Sequence, residues 1–331
     1  MNALRIGCVL SGGQAAGGHN VIVGLYEYIK KRHKNSQLFG FLNGPRGIFT
    51  GNYIELTDSH INYYKNRGGF DMICSGRDKI KKEEEFQKSL QHCESLKLDG
   101  LVVIGGDDSN TNAALLAEYF SKMGSSIRVV GCPKTIDGDL KNEFVEVSFG
   151  FDTACKTYSE CIGSLMADTL SSKKYYHFVR LMGRSASHIA LECALLTKPT
   201  YAFIGEEVQH KNQTLKELVG QLIEIIVARS QLQKNYGIVL IPEGLIEFIP
   251  EMNVLIKEIN EILAKANLPK DTPIKEIKLV VLGALTPSSK STFEFMPDEI
   301  ADQLLLDRDP HGNVQVAKIE TEKLIINLLK R

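Results

Sequence analysis

Short apolar runs alternate with longer amphipathic runs along most of this 331-residue chain, and this alternation limits the possible folds more than any other feature. The apolar runs have the length of strands, and the amphipathic runs have the period of helices. Strands that alternate with helices form a mostly parallel sheet with helices on both faces, so we predict an α/β fold. The predicted strands are 5–10, 38–42, 101–104, 127–132, 176–182, 202–204 and 237–241, and the predicted helices are 21–31, 112–123, 153–170, 186–195, 215–230 and 254–264.

Charge and cysteine content exclude several classes of function. The chain has 39 basic and 40 acidic residues mixed along its length, which favours neither a nucleic acid nor a membrane surface as partner. Its seven cysteines form no Cys-x-x-Cys pair, which is typical of free thiols in a reducing compartment. The first apolar stretch is too short for a signal peptide or a membrane span, so we expect a cytoplasmic protein with one large or two medium-sized domains.

Glycine and charged residues follow five of the predicted strands. In a parallel sheet the carboxyl ends of strands meet the amino ends of helices, and ligands bind there. The residues of interest lie in segments 11–20, 105–110, 133–139, 182–185 and 242–244.

Segment 11–20 is a candidate phosphate-binding loop, because glycines let backbone N–H groups approach an anion ahead of a helix. It matches neither the Gly-x-x-x-x-Gly-Lys-Ser nor the Gly-x-Gly-x-x-Gly pattern. A glycine turn needed only for packing is the alternative.

Asp107 and Asp108 open the next predicted helix. Such acids serve as helix caps or first-turn charges in many proteins. A magnesium ion that binds phosphates needs only one or two protein carboxylates, so a magnesium site is the second interpretation.

The segment from Lys134 to Asp139 is the most informative. Phosphoryl transfer needs positioning, neutralisation of charge and a base for the nucleophile. Lys134, Thr135 and the pair Asp137 and Asp139 offer these groups. A turn with Gly138 at positive φ would explain the aspartates, but not the lysine.

Arg77, Arg184 and Glu243 are each compatible with an ordinary solvated surface position. They indicate a functional site only in combination with the residues of the other loops.

Five motifs, taken in order, resemble those of phosphofructokinases. They are Ser11-Gly12-Gly13, Gly105-Gly106-Asp107, Thr135-Ile136-Asp137, Met182-Gly183-Arg184 and Pro242-Glu243-Gly244. The resemblance implies two Rossmann-like domains with mostly parallel sheets. Residues 1–145 would form the phosphoryl-donor domain with Mg²⁺, and residues 146–331 the fructose 6-phosphate domain with an added helical segment.

Asp108 and Lys134 resemble the pyrophosphate-dependent branch of that family, whose ATP-dependent members typically carry glycine at both positions. Segments 68–77 and 303–322, which include His311 and Gly312, are similar to the long form of that branch. This resemblance implies reversible phosphoryl transfer from pyrophosphate to fructose 6-phosphate.

The resemblance assigns roles to the donor loops. It implies that Gly12 and Arg77 contact pyrophosphate and that Asp107 holds magnesium. Asp108 would occupy the space of an ATP α-phosphate, and Lys134 would stabilise the transferring phosphoryl group.

It also implies a sugar-phosphate site. Asp137 would be the base toward the 1-hydroxyl, and the remaining substrate contacts would come from Thr135, Ile136, Asp139, Met182, Gly183, Arg184 and Glu243. Lys174 and Tyr175 match positions that reach the site of a partner subunit, so a homodimer or larger homo-oligomer is expected.

Two departures from the family pattern accompany the resemblance. Ala16 stands where the first loop usually has proline, and the chain stops before a Gly-Tyr-Glu-Gly-Arg segment that binds the sugar phosphate, so we expect a piece of a longer chain. The alternatives are an ATP-dependent phosphofructokinase and a non-catalytic regulatory subunit. Regulatory subunits tend to lose the acids, whereas Asp107, Asp137 and Arg184 are present here.

Overall fold

The computed structural model describes residues 2–140, 142–266, 268–269, 272–308 and 314–331. His311 and Gly312 lie outside the described residues. The chain divides into two compact units, Met1–Ala154 and Cys155–Arg331, whereas the boundary expected from the sequence lay between residues 145 and 146.

The first unit is an α/β structure around one sheet. Its elements are β1 (Arg5–Ser11), α1 (Gly18–Arg32), β2 (Gln37–Phe41), α2 (Pro45–Thr50), β3 (Tyr53–Leu56), α3 (Asp58–Tyr64), β4 (Ser75–Gly76), α4 (Glu83–Ser95), β5 (Gly100–Gly105), α5 (Asp107–Lys122) and β6 (Arg128–Pro133). The strand order is β3-β2-β1-β5-β6, and β4 pairs with the end of β1. Among the strands that the structure describes in this sheet, β3 alone runs antiparallel to its neighbour.

Two apolar cores cover the two faces of this sheet. Successive side chains of a strand point to opposite faces, and in β1 Val9 belongs to one core while Cys8 and Leu10 belong to the other. Leu101 and Ile104 of β5 divide in the same way. Burial on both faces explains the continuous apolar runs that predicted these strands.

The second unit combines a small sheet with many helices. Its elements are α6 (Phe151–Ser172), β7 (Tyr176–Leu181), α7 (His188–Thr197), β8 (Tyr201–Ala202), α8 (Gly205–His210), α9 (Leu215–Gln231), β9 (Gly237–Pro242), α10 (Leu245–Phe248), α11 (Pro250–Ala266), α12 (Ile274–Ala284), α13 (Pro287–Phe295), α14 (Asp298–Leu306), a 3₁₀ turn (Val316–Lys318) and α15 (Thr321–Leu329). The division between the units falls within the first turn of α6. The sheet has the order β7-β9-β8 with parallel pairing throughout, so the predicted α/β class is confirmed.

Two features of the described residues bear on location and chemistry. No described helix combines the length and the apolar character needed to cross a membrane. The seven cysteines are thiols, of which Cys74 and Cys161 are exposed. Burial raises the pKa of Cys8 and of Cys93 to about 12.

Candidate functional site

Four loops of the first unit follow strands that lie side by side. β4, β1, β5 and β6 are parallel neighbours, so their carboxyl ends lie at one edge of the sheet. Segments 11–17, 77–80, 105–109 and 133–139 leave the sheet at this edge.

The loop after β1 is held in a conformation that requires glycine. Gly12 has φ +88°, in the left-handed region that L side chains avoid. Its N–H donates to the carbonyl of Gly76 at 2.9 Å, and the Ser75 hydroxyl donates to the carbonyl of Gly12 at 2.6 Å. β4 therefore fixes the loop that was predicted to contact phosphate.

Lys134 reaches into this loop from β6. Its Nζ donates to the carbonyl of Gly13 at 2.7 Å, and the residue is only 7% exposed. A Cβ added at Gly12 would lie 3.7 Å from Lys134 Nζ and 3.8 Å from Ser109 Oγ. The loop, the lysine and the start of α5 thus meet at one point.

A second cation lies beside Lys134. A Cβ added at Gly13 would lie 3.3 Å from Arg77 Nη2. Burial lowers the pKa of Lys134, the charge of Arg77 lowers it further, and Asp137 and Asp139 act in the opposite direction. Two cations next to a glycine loop make this edge suited to a compact anion.

Asp107 and Asp108 occupy the first turn of α5, whose N-cap is Gly106 without a side-chain cap. Asp107 and Asp108 are therefore first-turn charges of α5, and neither of them caps the helix. Both carboxylates are exposed, and Asp108 Oδ1 lies 3.0 Å from Lys79 Nζ. The Ser109 hydroxyl, next along the helix, donates to that of Ser11 at 2.8 Å and so ties α5 to β1.

A magnesium ion fits this edge only together with phosphate. Within the described part of the chain, no group of three His, Cys, Asp or Glu side chains could hold a metal. Asp107 offers one exposed carboxylate at the start of α5, which is what magnesium uses when phosphates and water supply its other ligands.

The loop after β6 presents Asp137. The hydroxyl of Ser148 accepts a hydrogen bond from the N–H of Thr135 at 2.7 Å, and the Thr135 hydroxyl accepts from the N–H of Asp137 at 3.1 Å. Gly138 has φ +72°, as the turn interpretation predicted. Asp137 is half-buried and Asp139 is exposed, with Ile136 half-buried between Thr135 and Asp137.

The second unit brings Met182, Gly183, Arg184 and Glu243 together at the carboxyl ends of β7 and β9. The N–H of Glu243 donates to the carbonyl of Leu181 at 2.8 Å, and the N–H of Gly183 faces Glu243 Oε1 at 3.4 Å. A Cβ added at Gly244 would lie 1.9 Å from the Arg184 carbonyl oxygen, so glycine is required there. Met182 and Arg184 are exposed.

Lys174 and Tyr175 lie away from these residues. They precede β7, at its amino end, whereas Met182 and Arg184 follow its carboxyl end. Both are exposed, and the carbonyl of Tyr175 accepts from the N–H of Gly237 at 3.1 Å. The second unit therefore does not gather them with the other four.

Sequence reasoning missed Lys79, Asn112 and Glu247. The pKa of Glu247 is raised, because the effect of burial is larger than the opposite effect of the nearby Arg184 charge. None of the three lies in a glycine-rich motif, so only spatial proximity identifies them.

Comparisons with known proteins identify the family of the chain. The family model described as "Phosphofructokinase" matches residues 5–293. The chain is 56% identical over 327 residues to "Pyrophosphate–fructose 6-phosphate 1-phosphotransferase subunit beta 2" of Arabidopsis thaliana, covering 99% of this chain and 56% of that protein. It is 53% identical over 329 residues to "Pyrophosphate–fructose 6-phosphate 1-phosphotransferase" of Entamoeba histolytica, covering 99% and 60%.

The chain therefore spans a little over half the length of these curated relatives. Among solved structures, phosphofructokinase from Saccharomyces cerevisiae superposes with a TM-score of 0.64 at 20% identity, covering 89% of this chain and 42% of that one. That likeness shows the fold alone. With a family match over most of its length and relatives above half identity, the chain belongs to the phosphofructokinase family.

Proposed function

We propose that this chain is part of an enzyme of glycolysis that transfers a phosphoryl group reversibly from pyrophosphate to fructose 6-phosphate. The observation that carries the proposal is the contact of the Lys134 ammonium with the Gly12–Gly13 loop, with Arg77 beside it. Donor use by the relatives supports the choice of pyrophosphate. A cytoplasmic location remains a prediction.

The donor site works by binding and electrostatics. Lys134 and Arg77 supply positive charge for a compact, highly charged anion, and the hydrogen bonds to β4 fix the glycine loop beside them. Asp107 would hold Mg²⁺, which neutralises charge on phosphate oxygens when bound. Preorganised charge of this kind supplies most of the acceleration in such reactions.

The acceptor is activated by Asp137. A carboxylate that takes the proton of the sugar 1-hydroxyl makes that oxygen a better nucleophile. Thr135, Ile136 and Asp139 contribute further substrate contacts in this proposal.

The second unit would bind the sugar phosphate. Met182, Gly183, Arg184 and Glu243 are proposed as its contacts, with the Arg184 guanidinium suited to a phosphate. Lys174 and Tyr175, at the other end of β7, are proposed to act in the site of a second subunit of a homo-oligomer.

Asp108 is proposed to disfavour ATP as donor. At 76% exposure its carboxylate is screened by water, so its repulsion of a phosphate is modest. Because this repulsion is modest, the effect of Asp108 on donor choice depends on the position in which the ion pair with Lys79 holds its carboxylate.

The test is an assay of fructose 6-phosphate phosphorylation by the full-length natural protein with either donor, and of the reverse reaction with phosphate. We expect turnover with pyrophosphate in both directions, lost when Mg²⁺ is chelated. Turnover with ATP but not with pyrophosphate would establish the ATP-dependent alternative. Sugar-phosphate binding without turnover from either donor would establish the regulatory one.

A further inference from the structure

Lys79 is the ion-pair partner of Asp108 at the donor edge of the first unit. Lys79 Nζ lies 3.0 Å from Asp108 Oδ1, and the lysine side chain is 38% exposed against 76% for the aspartate. The pair therefore lies at the surface, with the lysine the less exposed of the two. Exposed ion pairs contribute at most about 1 kcal/mol to folding, so stability does not explain this one.

Asn112 holds the backbone next to Lys79 onto α5. Its amide nitrogen donates to the carbonyl of Ile80 at 2.8 Å, and its amide oxygen accepts from the N–H of Ile80 at 3.1 Å. Asn112 and Ile80 are both buried. Asn112 comes four residues after Asp108, so the two project from one face of the helix.

The same short segment serves two parts of the site. Arg77 reaches the Gly13 position, and Lys79, two residues later, reaches Asp108. The buried attachment at Ile80 thus fixes the end of a segment that carries both cations.

Removal of the Asp108 carboxylate would leave the Lys79 ammonium without its partner, at the start of α5. ATP carries one phosphate more than pyrophosphate. A lysine ammonium binds a phosphate oxygen as readily as a carboxylate oxygen.

We propose that Lys79 is a specificity-determining residue of the donor site. It compensates the charge of Asp108 while the carboxylate is present, and it becomes the cation that receives the additional phosphate of a longer donor when the carboxylate is removed. This inference rests on the donor site proposed above.

The experiment compares Asp108→Gly, Lys79→Met and the double variant in the full-length protein, with binding of ATP and of pyrophosphate measured by calorimetry and kcat/KM measured for both. We expect Asp108→Gly to bind ATP more tightly than wild type. The double variant should lose about 10- to 100-fold of that gain, the worth of a charged hydrogen bond. Lys79→Met alone should raise KM for pyrophosphate with little change in kcat, and Lys79→Arg should restore KM.

Lys81→Met is the matched control, because it removes an exposed lysine from the same segment. It should leave ATP binding to the Asp108→Gly variant unchanged. Equal ATP affinity in Asp108→Gly with and without Lys79 would overturn the inference. A wild-type protein that turns over no pyrophosphate would instead refute the proposed function. The comparison of ATP binding among the variants would still test the role of Lys79 in that case.

Discussion

Lys134 is a buried cation of the proposed donor site. Its pKa is lowered first by burial and then by Arg77, while Asp137 and Asp139 oppose that shift. In the proposed site the protonated form would stabilise a phosphoryl group, so we expect activity to fall as pH rises through this pKa.

Changing the neighbours of Lys134 should therefore move the alkaline limb of kcat in opposite directions. Arg77→Gln removes a repulsion, raises the pKa and shifts the limb to higher pH. Asp139→Asn removes an attraction, lowers the pKa and shifts it to lower pH. Saturating kcat against pH measures both, and Asp78→Asn, an exposed acid of the Arg77 segment, is the control. Shifts of the same sign would contradict the assignment.

Asp137 should matter for chemistry more than for folding. Asp137→Asn keeps the size of the side chain and the N–H that donates to the Thr135 hydroxyl. We expect kcat to fall by about 10²- to 10⁴-fold, the usual contribution of a general base. Thermal unfolding should stay near that of wild type. A variant that retains nearly full kcat in the full-length protein would show that Asp137 is not the base.

At the scale of elements, strands with an apolar run were predictable, and strands without one were not. β1, β2, β5 and β6 lie within one residue of their predicted bounds. The runs of β1, β2 and β5 are largely buried, whereas β6 has no buried residue and was still recognised from its apolar residues. β3 is an edge strand with an exposed Tyr53 and Glu55, and β4 has two residues, so neither gives an apolar run.

The residues of the candidate site also divide into those that the sequence predicts and those that it does not. Residues in glycine-rich loops after strands, such as Lys134 and Arg184, were identified from order along the chain. Lys79 and Asn112 were not, because their roles depend on contacts across the fold that no motif records.

Two glycines of the second unit provide a matched test of its loop geometry. Gly244→Ala should destabilise the protein and weaken sugar-phosphate binding, since its Cβ would lie 1.9 Å from the Arg184 carbonyl oxygen. Gly220→Ala, inside α9 with nothing within 4 Å, should instead stabilise it by about 0.5–1 kcal/mol. Chemical denaturation measures both. Equal stability changes would contradict the steric argument.

At the scale of the whole molecule, each unit has its own apolar interior. Among the described residues, two cores lie within the first unit and one within the second. The proposed donor contacts come from the first unit, and Met182, Gly183, Arg184 and Glu243 come from the second.

Ligands should therefore protect different segments in hydrogen exchange. Pyrophosphate with Mg²⁺ should slow exchange in segments 11–17, 77–80 and 133–139, because bound phosphate orders these loops. Fructose 6-phosphate should slow exchange around 182–184 and 243–247. Mass spectrometry of peptides from the full-length protein resolves the two sets. Protection of 182–184 by pyrophosphate alone would contradict the proposed division of the substrates.

The cysteine distribution allows the response of the protein to its ligands to be measured by fluorescence. Thiolates react with maleimides, and a thiol with a pKa of about 12, such as Cys8 or Cys93, stays protonated and inert near neutral pH. Cys74 and Cys161 are the exposed thiols, and they belong to different units. The unaltered sequence thus carries one attachment point per unit for a donor and an acceptor fluorophore. Energy transfer between the dyes would report any change in the distance between Cys74 and Cys161 without an engineered residue.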